Sequence, residues 1–398
     1  MKKFFSLICF LFFSVFCFSQ WTALTSGTTY SLRSVCFSDA NTGYVAGDSG
    51  TILKTIDEGT TWSALPSGTT DHLMSVYFTN ALTGYAVGID PTLSYGGTIL
   101  KTIDGGTIWT TLSSGTFYGL YSVCFPIAST GYSVGMFGTI LKTIDGGTTW
   151  SVLPSGTSNN LSSVYFTDAN TGYAVGGLGT IVKTLNGGTT WSALSSGTTN
   201  ELFSVYFLDA NTGYTVGIFG TILKTINGGT TWNALPSGTN IFLWSVYFSD
   251  TNTGYVAGDG GTILKTANSG TTWTAQSSGT TNSLSSIYFT DANTGYAVGD
   301  GGSILKTTNG GTGLIDLTTK PNNLKIYPNP SSDYITIKAS EIQTKSHLSI
   351  MNLNGQQLIA SQITEPKIQI DISDLPHGIY IVRLTNEKTL QVGKVIKQ

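Results

Sequence analysis

Charge is scarce in this chain. Of its 398 residues only 10% are Asp, Glu, Lys or Arg, whereas glycine alone contributes 49. Between Gln20 and Lys320 there are nine basic and 16 acidic residues, a balance of −7; from Pro321 onward there are eight and six. Neither part has the clustered Lys and Arg that binding to nucleic acid or anionic lipid requires, so no nucleic-acid partner is expected. Up to Lys320 the only arginine is Arg33, the only histidine is His72, and the only glutamates are Glu58 and Glu201. Little material is left for a metal site or an acid–base pair, and no cofactor is expected. Cysteine is nearly absent. Cys9 and Cys17 fall in the first twenty residues, and Cys36 and Cys124 occupy equivalent SVCF segments far apart in the chain. They read as small buried apolar residues, not a disulfide.

Beyond residue 18 no apolar run is long enough to cross a bilayer, so no transmembrane segment is expected. The start, MKKFFSLICFLFFSVFCFSQ, pairs Lys2 and Lys3 with an apolar stretch from Phe4 to Phe18 and small residues at Cys17 and Ser19. That pattern reads as a signal peptide over 1–19. Bulky Phe16 argues against a lipid anchor on Cys17.

What the chain has in abundance is repetition. The segment KTIDGGTTW at 142–150 recurs with small changes at 54–62, 101–109, 183–191, 224–232, 265–273 and, with Leu314 in place of Trp, at 306–314. The tryptophans Trp21, Trp62, Trp109, Trp150, Trp191, Trp232 and Trp273 are spaced by 41 residues, apart from one gap of 47. A period near forty signals stacked supersecondary units. Each unit holds four short strand-like runs, as in SVYF, GYAVG, TIVKT and TWSAL between 163 and 194, separated by DANTG, GGLG, NGG and PSGT-type turns. Four strands in about 41 residues match a β-propeller blade. First strands of the SV(Y/C)F type occur seven times, while the first Trp strand, W21TAL, precedes all of them. The expectation is therefore an all-β, seven-bladed propeller over 20–312, closed by its N-terminal strand. A linker at 313–322 and a second domain at 323–398 follow.

The repeated segment carries the pattern Thr143-x-Asp145-x-Gly147-x-Thr149-Trp150 and resembles the Asp-box. The reading is structural: a carboxylate accepts turn N–H bonds, Gly takes a positive φ, and Trp packs on neighbouring strands. It covers Asp57, Asp104 and Asp145, then Asn186, Asn227, Asn268 and Asn309, with Trp62, Trp109, Trp150, Trp191, Trp232 and Trp273. Asn can do the backbone work, whereas a metal or acid–base role would suffer. With segments such as GYVAGDGGTILKT at 254–266 before the box, the unit resembles the repeats of photosystem II assembly-factor propellers and other Asp-box (BNR-like) proteins. The resemblance implies the fold and leaves function open.

Asp-box propellers include sialidases, which clamp a substrate carboxylate with several arginines, and Arg33 is alone here. A glycosidase needs two facing carboxylates, yet most acids sit at repeated turn positions such as Asp39, Asp168, Asp209, Asp250 and Asp291. His72 has no evident partner in the sequence. Asp168-Ala-Asn-Thr-Gly172 lacks the later ligands of a calcium loop and reads as an Asx turn. No catalytic residue and no metal ligand is assigned. A hydrolase with an atypical site and a structural surface component remain the alternatives.

After residue 322 the composition changes. The order YPNP at 327–330, NLNGQ at 352–356 and LPHGIYIVRL at 375–384, ending at the C-terminus, resembles the sorting domain of the bacterial type IX secretion system. The resemblance implies a small β-sandwich, the secretion machinery as partner, and export through the periplasm to the outer surface or beyond.

Comparison of the units locates a candidate ligand face. DANTG and the box scarcely vary, but the residue before each first-strand Ser does: Arg33, Met74, Tyr121, Ser162, Phe203, Trp244 and Ser285. Loops between second and third strands vary too, with IDPTLSY at 89–95, Met136-Phe137, Leu178 and Ile218-Phe219. Variation confined to one face suits a scaffold with a specialised surface. The expected ligand is a glycan or a protein, met by exposed aromatics, with Arg33, Met74, Tyr121, Phe203, Trp244, Phe137 and Phe219 as candidates. Loss of Phe203 and Trp244 together is expected to abolish binding at nearly unchanged melting temperature.

Overall fold

A computed structural model describes residues 20–92, 96–311, 324–338, 346–352, 357–363, 365–385 and 390–398. The leader at 1–19, the segment 312–323 and the Asn354-Gly355 turn lie outside them. Two compact units result, Met1–Gly313 and Leu314–Gln398.

The first unit contains seven four-stranded antiparallel sheets. In the fourth, Leu161–Phe166, Gly172–Gly176, Ile181–Thr184 and Ser192–Leu194 pair in sequence order. Sheets one to six follow this plan. The seventh takes Leu284–Phe289, Gly295–Gly299 and Ser303–Thr307 and adds Thr22–Leu24 beside the last of these, with Ala23 opposite Leu305.

Second strands such as GYAVG are buried at all five positions. Neighbouring sheets cover both of their faces, so the apolar run is continuous instead of alternating. Gly172 must lack a side chain, because a Cβ there would lie 2.5 Å from the Phe166 ring. The cores lie between sheets: Tyr85, Val87 and Ile99 of the second pack on Leu120, Val123, Phe125, Leu141 and Trp150 of the third. Tyr85 stacks on Phe125 at 4.0 Å and Trp150 meets that ring edge-on at 5.9 Å. The same triad recurs as Tyr255, Phe289 and Trp21, and as Tyr296, Phe37 and Trp62, which joins the seventh sheet to the first.

Hydrogen bonds repeat this stepping. The hydroxyl of Ser163 accepts the Val205 N–H one sheet on, at 3.3 Å, and Ser286 accepts that of Val35 at the same distance. The phenols of Tyr77, Tyr165, Tyr206, Tyr247 and Tyr288 donate to the next sheet's Phe carbonyl. Cys36 and Cys124 stand in that belt as free thiols. They are half-buried, not buried as their apolar neighbours suggest. Their surroundings still push the Cys36 thiol up to about 12, and that of Cys124 upward as well, so neither is a thiolate nucleophile at neutral pH.

The second unit has a three-stranded sheet (Lys325–Tyr327, Tyr334–Lys338, Lys367–Asp371) and a four-stranded one (Gln357–Ile363, Ser346–Met351, Gly378–Thr385, Leu390–Lys397). Ile335 and Ile337 of one share a core with Leu348, Ile350, Val382 and Val395 of the other.

Candidate ligand-binding face

In antiparallel sheets, the turns after first and third strands lie at one end, and the remaining connections lie at the other. At the first end one bonding plan recurs in most sheets. Asp168 accepts N–H bonds from Asn170 (2.7 Å) and Thr171 (2.9 Å), which hold its carboxyl below the usual range. In the box, Asp145 accepts the Thr149 N–H at 2.9 Å and the hydroxyls of Thr149 and Thr143 at 2.7 and 2.8 Å. These bonds, led by the Thr149 N–H, depress its carboxyl to about 2. Asn186 keeps the N–H bond, from Thr190, and reverses the other by donating Nδ2 to the Thr190 hydroxyl. Lys142 and Tyr132 both donate to the Gly187 carbonyl of the next box, and Lys306 and Tyr296 reach Glu58 in the first. Apolar Ile56, Ile103, Ile144, Leu185 and Ile226 protrude here, each at least 66% exposed. The repeat masks that feature, because the intervening position looks like a turn filler.

At the other end, register slips at one place in all seven sheets, as between Leu161 and Ser163. The skipped residue is the variable one: Arg33, Met74, Tyr121, Ser162, Phe203, Trp244 or Ser285. A bulge frees a side chain from the alternation of the strand, and bulges gather beside functional sites. All seven are half-buried, so of the aromatics expected to be exposed, Tyr121, Phe203 and Trp244 are only partly so. Six of the seven connections from second to third strand are tight turns of one form. Their central residue has positive φ: Gly260 (61°) and Gly301 (63°), but also Ser49 (53°), Phe137 (52°), Leu178 (54°) and Phe219 (55°). These three apolar side chains are 59–70% exposed. Leu93 to Tyr95 of the longer loop lie outside the described residues.

Bulges and turns converge on one cluster. Phe203 stacks on Trp244 at 4.1 Å, Phe242 approaches Trp244 edge-on at 6.2 Å, and Phe219 meets Phe242 at 5.6 Å. The Trp244 indole donates to Asp259 at 2.6 Å. Tyr118 and Phe137, at 5.0 Å, make a smaller pair. Phe242 and Tyr118 fall among the three residues between the constant Ser-Gly-Thr and Leu of each unit, where no pattern marks one position over another. Burial, and then the Glu201 charge, raise the Tyr121 phenol. Arg33 is not free for a ligand: it forks onto Asp48 at 2.9 and 2.7 Å and lies 3.8 Å from Asp300. His72 does have a neighbour, Asp48 at 3.4 Å. Met74 joins no aromatic contact among those described. Among the described residues no three His, Cys, Asp or Glu side chains gather as a metal site would need.

Four-stranded sheets stepping through shared aromatic cores, each with an Asp-box hairpin, define an Asp-box β-propeller. Family comparison agrees. The model of photosynthesis system II assembly factor YCF48 matches 14–116, 107–194, 150–236, 190–279 and 234–308, more than half of the chain, and the chain belongs to that family. Residues 325–398 are a secretion system C-terminal sorting domain. Solved structures agree in fold: "YCF48 bound to D1 peptide" (21% identity, TM-score 0.62, covering 73% of this chain and 96% of that one). A GH74 enzyme of Niastella koreensis is also similar (15%, TM-score 0.61, 95% and 74%). So is PorZ, a surface component of the type-IX secretion system of Porphyromonas gingivalis (12%, TM-score 0.56, 90% and 58%). No curated protein sequence matches the chain.

Proposed function

We propose that this chain is a non-enzymatic binding protein, a seven-bladed propeller closed by its N-terminal strand. It is exported by the type IX system to the cell surface or beyond, and recognises its ligand on the variable end. Closure is supported by Thr22–Leu24 in the seventh sheet and by the Ser286–Val35 and Tyr296–Glu58 bonds to the first. The sorting domain supports the route, with residues 1–19 as signal peptide, the propeller over 20–312 as cargo and 313–322 as linker.

One observation carries the binding reading. At a turn position that Gly260 and Gly301 fill without strain, Phe137, Leu178 and Phe219 hold exposed apolar side chains in left-handed backbone. Such conformations cost about 1–3 kcal/mol each, persist only where the surrounding structure holds them, and cluster at ligand-binding sites. Glycan and peptide arrays on the purified protein test it: binding should vanish in Phe203→Ser/Trp244→Ser, and undiminished binding would refute the face assignment. Because the two rings stack and are half-buried, that variant should also lose roughly 1 kcal/mol of stability, more than the sequence suggests. A hydrolase is the alternative, favoured only by the likeness to the GH74 fold. Export is tested by deleting 323–398, which should leave the propeller in the periplasm; unchanged secretion would sink that assignment.

A further inference from the structure

Resting on that reading, we propose that the ligand is a cationic polypeptide segment, whose Lys or Arg side chains seat on the Phe203–Trp244 cluster between Glu201 and Asp259. The connections at this end carry Asp48, Asp71, Asp90, Glu201, Asp259 and Asp300 against a single guanidinium, Arg33. Arg33 is consumed by Asp48 and Asp300, on the first and seventh sheets. Glu201 and Asp259, on the fifth and sixth, have no salt-bridge partner among the described residues. Asp259 touches the aromatic cluster, accepting the Trp244 indole N–H, and Glu201 lies in the connection that leads into the Phe203 strand, two residues before Phe203.

That hydrogen bond selects the ligand's charge. Trp is the strongest cation–π acceptor among the side chains, and a carboxylate on its N–H makes the ring more electron-rich. The ring's only polar donor is also occupied, so it has none to offer a sugar hydroxyl. The fold already pairs cations with rings at its other end, where Lys142 lies 5.6 Å from the Tyr132 centroid and Lys224 5.3 Å from that of Tyr214. Here the rings and the negative charge are present without the cation. Phe219 and Phe242 alongside would take apolar side chains of the same peptide. A neutral glycan would gain hydrogen bonds to the carboxylates but no ion pair, and an acidic one would be repelled.

The test is calorimetric titration of the purified full-length protein with an alternating Lys-Leu peptide, its Glu-Leu counterpart and a neutral β-glucan oligosaccharide, each at low and high salt. The Lys-Leu peptide alone should bind, and more weakly at high salt. Glu201→Gln and Asp259→Asn, the latter keeping an acceptor for Trp244, should each weaken it about two- to fivefold with unchanged melting temperature. Phe203→Ser/Trp244→Ser should abolish it. Failure of the Lys-Leu peptide to bind, equal binding of the Glu-Leu peptide, or indifference to both charge variants overturns the cationic assignment. Oligosaccharide binding lost in the aromatic variant overturns it too, but leaves the face assignment standing. If that variant binds every probe as the parent does, both fall.

Discussion

At one end of the propeller strands, the box turns are held by the same bonds in sheet after sheet: Asp145 to Thr149, Asn186 to Thr190, Lys142 to Gly187. At the other end, the position skipped by the strand register is Arg33 in one sheet, Trp244 in another and Ser285 in a third. The difference lies in what each residue serves. A box side chain satisfies its own turn and a neighbouring sheet's lysine and tyrosine reach the turn carbonyl, so a change in one sheet is felt in the next. A bulge residue has no ladder partner, and its replacement leaves the pairing of its sheet intact. Regularity at one end is what makes variety at the other affordable.

The strongest way to break this comparison is to remove the strand on which the seventh sheet depends. Deleting Trp21 to Tyr30 takes away the Trp21 ring, which is 1% exposed and packs edge-on against Phe289 at 5.8 Å. Loss of one large buried aromatic costs roughly 3–5 kcal/mol, and the vacated strand Ser303–Thr307 becomes an open edge. A sharp fall in melting temperature, with a tendency to associate, is expected; a truncated protein that melts like the parent would mean the sheet closes without it.

A smaller effect of opposite sign is expected at the variable end. Leu178→Gly relieves a left-handed side-chain strain of about 1–2 kcal/mol and adds about 0.5–1 kcal/mol of backbone entropy to lose on folding. Chemical denaturation should show stability unchanged or raised by up to about 1 kcal/mol. A marked loss would make Leu178 structural and weaken the contrast between the ends.

The smallest effect belongs to acid. Asp57 and Asp145 have carboxyls depressed to about 2, each led by the N–H bond from the Thr four residues on. Their unfolded value is about 3.9. A depressed carboxyl stabilises the fold above its unfolded pKa and loses that contribution as pH falls through the folded one, here between about 4 and 2. Asp57→Asn/Asp145→Asn should lie at or slightly below the parent near pH 7, the Asn amide restoring the turn bonds without the charge, and show a shallower fall in melting temperature across that window. Boxes four to seven already carry Asn, so the substitution has precedent in the chain itself. An equally steep fall would mean that these carboxylates are not the acid-sensitive groups.

Much of this was legible in the residues. Box turns, the strand count per unit and the early Trp strand follow from local chemistry repeated at a fixed period, and a turn satisfied by its own side chains reads the same in any context. The variable end was legible only as variation. That Phe203 stacks on Trp244, its counterpart one period on, that Phe242 completes the cluster, and that His72 lies beside Asp48 depend on contacts between units, which the period aligns without showing which side chains touch.

The sequence by itself determined the repeated unit: where strands start, which turns need Asp, Asn or Gly, and which end of the chain is an export address. The tertiary structure decided which side chains meet. A half-buried ring or an unpaired carboxylate acquires its character from neighbours one sheet away, some 40 residues distant along the chain. Only when the sheets pack side by side do Glu201, Phe203, Trp244 and Asp259 become one surface. Arg33, a candidate by its place at the variable position, is withdrawn from it by Asp48, since the energy of a charge depends on distances that residue order does not encode.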